Sequence, residues 1–323
     1  MKKVIFSAAA LLLATACSVD SGSMPAVNNT ISVTASLGTT TRISVAEDAQ
    51  SNSWILSWAE NDALGGFAMG GSESSFALYE MDSYDPNSST FKGEASDLPL
   101  RFVYPYSAEA LIADGLYEVD LSSQRFDILS PMANMSSTHL ISAHGFEPSE
   151  SSSISMQHIG CAITLNLSIE SLYLNGESYT YRLSRIEMGT DDDEDGNYLA
   201  IPTSCEIDLN STLDQDSFYS NISGGVIAVD VDNSPQITPG EVYSVIFSAL
   251  PISIASAEQI CLKCYFDCYN LDGEFERVCY TKGLTVTNDS DSTVEFARAT
   301  HNTISASYAG SLYYGVSITA GLN

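Results

Sequence analysis

The chain has 323 residues, of which 44% are hydrophobic and 10% aromatic, so it carries ample material for a core, which excludes wholesale disorder. Its 41 acidic and 12 basic residues give a formal charge of −29. A surface this acidic repels nucleic acid and anionic membrane headgroups, which argues against any nucleic-acid partner; the same acidity keeps an exported protein soluble.

Lys2 and Lys3 precede an apolar run from Val4 to Leu13 that ends in Leu13-Ala14-Thr15-Ala16-Cys17. A basic start, a short apolar stretch and small residues before a cut describe a secretory signal. The run is far short of the roughly 20 residues that cross a bilayer as a helix. The cysteine after the small residues resembles a bacterial lipobox, with the leucine one place further out than in the commonest version. Residues 1–16 are then a lipoprotein signal peptide, and Cys17 is the lipidated new N-terminus. Each buried CH₂ of an acyl chain contributes about 0.8 kcal/mol, so several chains anchor stably. No second apolar span follows, so attachment is expected through the lipid or not at all. Residues 18–29 are small and polar and read as a tether.

From there the strand signal dominates. Ile31, Val33 and Ala35 alternate with Ser32 and Thr34; Trp54, Leu56 and Trp58 alternate with Ile55 and Ser57; Tyr243, Val245, Phe247 and Ala249 repeat the pattern. Period-two alternation between Gly-, Asn-, Asp- and Ser-rich spacers predicts short antiparallel strands packed as sandwiches. Residues 108–114 offer the one short helix. Asp272-Gly273 predicts a two-residue turn joining 262–271 to 274–281, which sets Phe266 opposite Cys279 and puts Leu262, Cys264, Phe266 and Cys268 on one side. A domain boundary falls near 168–180. No internal repeat or long low-complexity tract stands out.

The last eleven residues alternate throughout. Leu312, Tyr314, Val316, Ile318, Ala320 and Leu322 share one face, and Tyr313, Gly315, Ser317, Thr319 and Gly321 the other. Such a face needs cover, either in the chain's own sheet or as a donor strand completing a neighbour's.

Candidate chemistry is sparse. Asp191, Asp193 and Asp195 with Gly196 form D-x-D-x-D-G, the front half of a calcium loop, but Pro202 stands where the closing glutamate belongs. The alternatives are a weak calcium site and a solvated acidic loop. Cys261, Cys264, Cys268 and Cys279 suggest zinc only if the strand breaks, because Cys261 points away from Cys264 and Cys268. Buried thiols, or one disulfide from Cys279 to Cys264 or Cys268, fit better. His158 opens an apolar strand and reads as structural. No nucleophile–base, metal-protease, P-loop or dinucleotide motif occurs, so no enzyme is expected. Trp54 and Trp58 share a strand face and could stack on sugars, although a core role fits the pattern better.

Several segments together resemble the fimbrillin-like lipoproteins of the Bacteroidetes. Thr41-Arg42-Ile43-Ser44 is similar to the start of that family's first retained strand. Trp58-Ala59-Glu60-Asn61-Asp62-Ala63-Leu64-Gly65 is similar to its W-x-x-x-D-x-x-G segment, and Tyr104-Pro105-Tyr106-Ser107 to its YPYS signature. Gln157-His158-Ile159-Gly160-Cys161 is similar to the strand that follows an F-x-H element. The resemblance covers 41–170 and is weak beyond. It implies an all-β protein with two transthyretin-like antiparallel β-sandwich domains in tandem, at 43–170 and 171–323. It implies an outer-membrane lipoprotein, a pilus subunit or accessory adhesin, whose partners are other fimbrial subunits and a surface receptor or glycan. In polymerising members a trypsin-like protease cuts after an arginine and releases the lipid and first strand. Carried over, 17–42 is the tether with a cleavable first strand, Arg42 and Ile43 flank the cut, and the alternating C-terminal segment is the donor. The alternative is a non-polymerising surface lipoprotein that binds glycans.

Overall fold

The computed structural model describes residues 30–314 apart from 38–42, 45–53, 56, 72–75, 95, 114, 130–138, 143–144, 148–150, 175–177, 190–197, 212–217, 282, 288–291 and 299. The described residues are all-β, as their alternation predicts. The expected helix at 108–114 is absent. Only Ala108–Ala110 makes a 3₁₀ turn, and Leu111–Ala113 is a strand that folds back on Leu116–Asp120. Gly115 makes the reversal at φ +85°, where a Cβ would also strike Asn210 and Phe67.

Seven strands close into a barrel, where an open sandwich was expected. In order around it they are Thr30–Leu37, Ser151–His158, Leu140–Ser142, Leu100–Tyr104, Ala63–Ala68, Phe76–Ser83 and Ser88–Glu94, which returns to Thr30–Leu37. Every pairing is antiparallel except that of Thr30–Leu37 with Ser151–His158, which is parallel. Its interior holds Val33, Leu64, Tyr79, Phe91, Phe102 and Met156, all fully buried.

The remaining strands form open sheets. Val242–Ala249, Cys161–Tyr173 and His301–Ser311 make one, with His301–Ser311 parallel to Cys161–Tyr173. A second runs Ser123–Asp127, Ile227–Asp232, Thr180–Met188, Gln259–Tyr269, Phe275–Tyr280, with Leu284–Thr287 also paired to Gln259–Tyr269. A third runs Tyr219–Gly225, Ile201–Asp208, Leu116–Asp120, Leu111–Ala113. Leu116–Asp120 and Ser123–Asp127 pair with strands beyond 200, and among the described residues Cys161–Tyr173 pairs with strands beyond 240.

Two apolar clusters account for this arrangement. One is continuous from the barrel interior through the sheets of the C-terminal half. The other lies outside the barrel, where Phe67, Val103 and Ile141 meet Tyr117, Val119, Ile207 and Phe218 of the third sheet region. The expected 272–273 hairpin is present with Phe266 opposite Cys279, but its strands stop at Tyr269 and Phe275. The Asn270 side chain accepts from the Glu274 amide (2.9 Å), so residues 270–274 form the turn.

Arg101 ties the barrel to the C-terminal half. It is 1% exposed, and its guanidinium donates to the carbonyls of Ser142 (2.9 Å) and Ser211. Burial lowers its pKa, with partial relief from Asp208. Removing the guanidinium strands buried carbonyls. Arg101→Ala is expected to lower unfolding free energy by about 2–4 kcal/mol in urea titration; an unchanged midpoint would contradict this role.

Candidate functional site: the slot of the first strand

Thr30–Leu37 forms because β-branched and small residues alternate, and it is held because both its edges are paired. Ile31, Val33 and Ala35 point inward and are 5%, 0% and 0% exposed. Val33 lies opposite Phe91 and Ala35 beside Ile154, with Leu37 beside Met156. Burying Ile31 and Val33 contributes about 1.5–3 kcal/mol each. Outside, the hydroxyls of Thr34 and Thr90 meet at 3.2 Å, and Ser36 donates to the Ile154 carbonyl at 3.1 Å. Gly93 stands opposite Ile31, where the Tyr79 ring lies so close that a Cβ would sit 2.6 Å from it.

The two sequence signatures meet at this strand. Trp58 Nε1 donates to the Ala35 carbonyl at 2.9 Å. Its ring packs edge-on against Phe91 (5.1 Å between centroids) and Tyr104 (5.5 Å). Tyr104 in turn donates to Asp62 Oδ1 at 2.9 Å, while Asp62 Oδ2 accepts from the Ala59 amide at 2.7 Å. Burial first, and Asp62 second, push the Tyr104 pKa up, so the phenol stays a donor. The W-x-x-x-D segment and the YPYS tyrosine are thus one clasp around the backbone of Thr30–Leu37. Trp58 is 3% exposed, as its favoured core role requires, which leaves it unable to stack on sugars; the Trp54 side chain lies outside the described residues.

The other candidate positions are placed as follows. Cys17, Arg42, Asp191, Asp193 and Asp195, with Val316, Ile318, Ala320 and Leu322, lie outside the described residues. Ile43 belongs to the two-residue strand Ile43–Ser44, paired with Trp54–Ile55. Leu312 is buried, and its amide donates to the Tyr173 carbonyl at 2.7 Å. Tyr313 exchanges two backbone hydrogen bonds with Tyr280, of 2.8 and 2.9 Å. Tyr314 stacks under the Arg277 guanidinium at 4.9 Å. The root of the C-terminal segment is therefore fastened to the chain's own hairpin edge.

All six described cysteines are buried thiols. Cys268 Sγ lies 2.8 Å from Cys279 Sγ, whereas the Cys264 amide donates to Thr281. Cys268 rather than Cys264 is therefore the neighbour of Cys279. Among the described residues no group of three or more His, Cys, Asp or Glu converges to hold a metal. His158 ends the strand beside the slot and is 2% exposed. Burial, aided by His139 and opposed by the Gly160 backbone, lowers its pKa from 6.5 to about 4.

No family model matches the chain, and neither does any curated protein. Solved structures of similar outline include a candidate cell adhesion protein from Bacteroides uniformis, at 16% identity and TM-score 0.42, covering 90% of this chain and 98% of that one. Another, from Bacteroides fragilis, has 10% identity and TM-score 0.46 over 88% and 97%. A fimbrial protein from Bacteroides ovatus has 10% identity and TM-score 0.34, covering 88% of this chain and 50% of that one.

Two outcomes follow from this geometry. Trp58→Phe keeps an aromatic ring but removes the indole's hydrogen bond to the Ala35 carbonyl; it should cost about 0.5–1.5 kcal/mol and speed amide exchange across 30–37. Unchanged exchange there would contradict the clasp. His158 binds a proton in the unfolded chain below pH 6.5 but in the folded one only near pH 4. Its contribution is thus complete above pH 6.5 and lost as pH falls toward 4, by about 3 kcal/mol. His158→Gln should flatten the pH dependence of stability across that window; an unaltered profile would count against it.

Proposed function

We propose that this chain is an exported, lipid-anchored surface protein, a fimbrial subunit or adhesin, that assembles by exchanging its first strand. One observation carries the reading. The first described strand fills a slot between Ser88–Glu94 and Ser151–His158, paired on both sides and buried on one face. Its removal would open the barrel and leave two unpaired edges over an apolar groove. Such a groove binds an extended strand with main-chain hydrogen bonds for affinity and alternate side chains for specificity.

Supporting features come from the chain's own residues. Arg42 is the first basic residue after Lys3, and Lys92 is the next, so a trypsin-like enzyme has one early choice. Cys17 supplies the anchor at the outer membrane, and a cut at Arg42 would release lipid and first strand together. The tandem transthyretin-like arrangement belongs to the same reading, with the barrel and the sheets of the C-terminal half as its two units. The role is structural and adhesive, without catalysis, in a fimbrium once processed. A surface receptor or glycan is the ligand; neither calcium nor another cofactor is needed for the exchange.

Limited trypsin digestion of residues 18–323, with mass spectrometry and an unboiled SDS gel, tests this. A cut after Arg42 accompanied by detergent-resistant multimers is the expected result. A chain that is cut there and stays monomeric would overturn strand exchange.

A further inference from the structure

Cys279 has two thiols within reach along the sheet, and the geometry chooses between them. Cys279 stands opposite Phe266, so its diagonal neighbours on Gln259–Tyr269 are Cys264, level with Thr281, and Cys268, level with Arg277. Cys264, Phe266, Cys268 and Cys279 are all fully buried in the same apolar cluster. In a flat ladder the two diagonals would be equivalent, but the right-handed twist of paired strands shortens one and lengthens the other. Here the short diagonal runs from Cys268 to Cys279, with 2.8 Å between the sulfurs. Along the other diagonal the Cys264 backbone is tied to Thr281, whose amide donates to the Cys264 carbonyl (2.9 Å) and whose hydroxyl accepts from the Cys264 amide (3.0 Å). A disulfide holds its sulfurs at about 2.05 Å, so joining Cys268 to Cys279 draws the two atoms together by about 0.8 Å.

The remaining described cysteines sit elsewhere. Cys161 Sγ donates to the Leu250 carbonyl at 3.9 Å, and Cys205 belongs to the apolar cluster outside the barrel. Cys261 lies against Gly283, where a Cβ would come within 2.5 Å of its sulfur.

We propose that Cys268 and Cys279 are an oxidation site, joined by a cross-strand disulfide as the hairpin around 270–274 folds, while Cys161, Cys205, Cys261 and Cys264 stay thiols. The oxidant is another disulfide, R–S–S–R, of a small molecule or a protein. One cysteine thiolate attacks it and expels R–S⁻, leaving a mixed disulfide on the chain. The second cysteine thiolate attacks the chain's own sulfur in that link and expels the other R–S⁻. Two protein thiols are oxidised, one disulfide is reduced to two thiols, and the two protons pass to the leaving thiolates. An exported chain meets such oxidants, whereas a reducing cytosol keeps both sulfurs as thiols. The site lies away from the slot of the first strand, so it is independent of strand exchange.

Burial sets the timing. Burial first, and the contact with Cys279 second, push the Cys268 thiol pKa up; burial also pushes Cys279 up, against the pull of Cys268 and Arg277. The thiolate is the attacking species, so the folded, reduced pair reacts slowly. The two strands are neighbours in sequence, and such local contacts form early, while oxidant still reaches the sulfurs. Once made, the bond fastens the strand whose Tyr280 holds Tyr313 by two backbone hydrogen bonds, beneath a turn whose Leu271 and Phe275 are exposed. It also restricts the unfolded chain, which raises stability.

Thiol mapping tests this. Residues 18–323 are unfolded, reduced, and refolded with either oxidised or reduced glutathione. They are then unfolded in iodoacetamide, digested and read by mass spectrometry. After oxidative refolding the expected map has one linked peptide pair, Cys268 to Cys279, with Cys161, Cys205, Cys261 and Cys264 alkylated; after reductive refolding all six are alkylated. Cys264→Ser should keep the link and Cys268→Ser should abolish it, with circular dichroism confirming that both fold. The map of the unaltered chain decides the matter even where a variant does not fold. Adding oxidised glutathione only after reductive refolding should slow closure at least about tenfold. A link from Cys279 to Cys264, or six alkylated cysteines after oxidative refolding, would overturn the site. Equal rates of closure during and after folding would overturn the timing.

Discussion

A barrel has no free edge only while every strand is present, and here one strand closes the ring. Thr30–Leu37 is paired along both sides, and its pairing with Ser151–His158 is the one parallel pairing among the described barrel strands. Its loss would expose backbone donors and acceptors on two strands at once, and the apolar wall formed by Phe91, Ile154 and Met156. Unpaired edges of that kind are templates for another strand. The stability of the barrel and its capacity to accept a partner are therefore the same physical quantity, seen with the slot filled or empty.

The surroundings keep the slot in shape. Trp58 and Tyr104 hold the strand's backbone and its inner wall, with Asp62 fixing the tyrosine. On the barrel's outer side Phe67, Val103 and Ile141 are covered by residues of the Leu116–Asp120 and Ile201–Asp208 strands. Arg101 crosses between the halves to reach Ser211. A groove whose walls are packed from behind keeps its form when its occupant changes, which a strand-accepting site needs.

Some of this was legible in the residues. The alternation at 31–35 and 243–249, the hairpin with Phe266 opposite Cys279, and the buried row Leu262, Cys264, Phe266 and Cys268 follow from period two and turn chemistry alone. Closure of the barrel does not, because it depends on pairings such as Thr30–Leu37 with Ser151–His158, more than a hundred residues apart, which local pattern cannot specify. The pairing of Leu116–Asp120 and Ser123–Asp127 with strands beyond 200 is lost for the same reason. The core role favoured for Trp58 holds, although an aromatic in an alternating run looks the same whether it faces sugar or core. What decides is the Ala35 carbonyl that its indole reaches. Residues 108–114 look helical by composition, yet Ala108–Ala110 make one 3₁₀ turn and Leu111–Ala113 pair as a strand with Leu116–Asp120.

Mass spectrometry of purified multimers from the cut chain would test the central idea most directly, by asking whether residues 18–42 remain in them. If Thr30–Leu37 is an exchangeable plug, the multimers lack that fragment, while Ser88–Glu94 and Ser151–His158 stay protected from amide exchange as in the uncut monomer. Multimers that retain the fragment one-to-one would mean that the slot never changes occupant, and that the chains associate through some other surface.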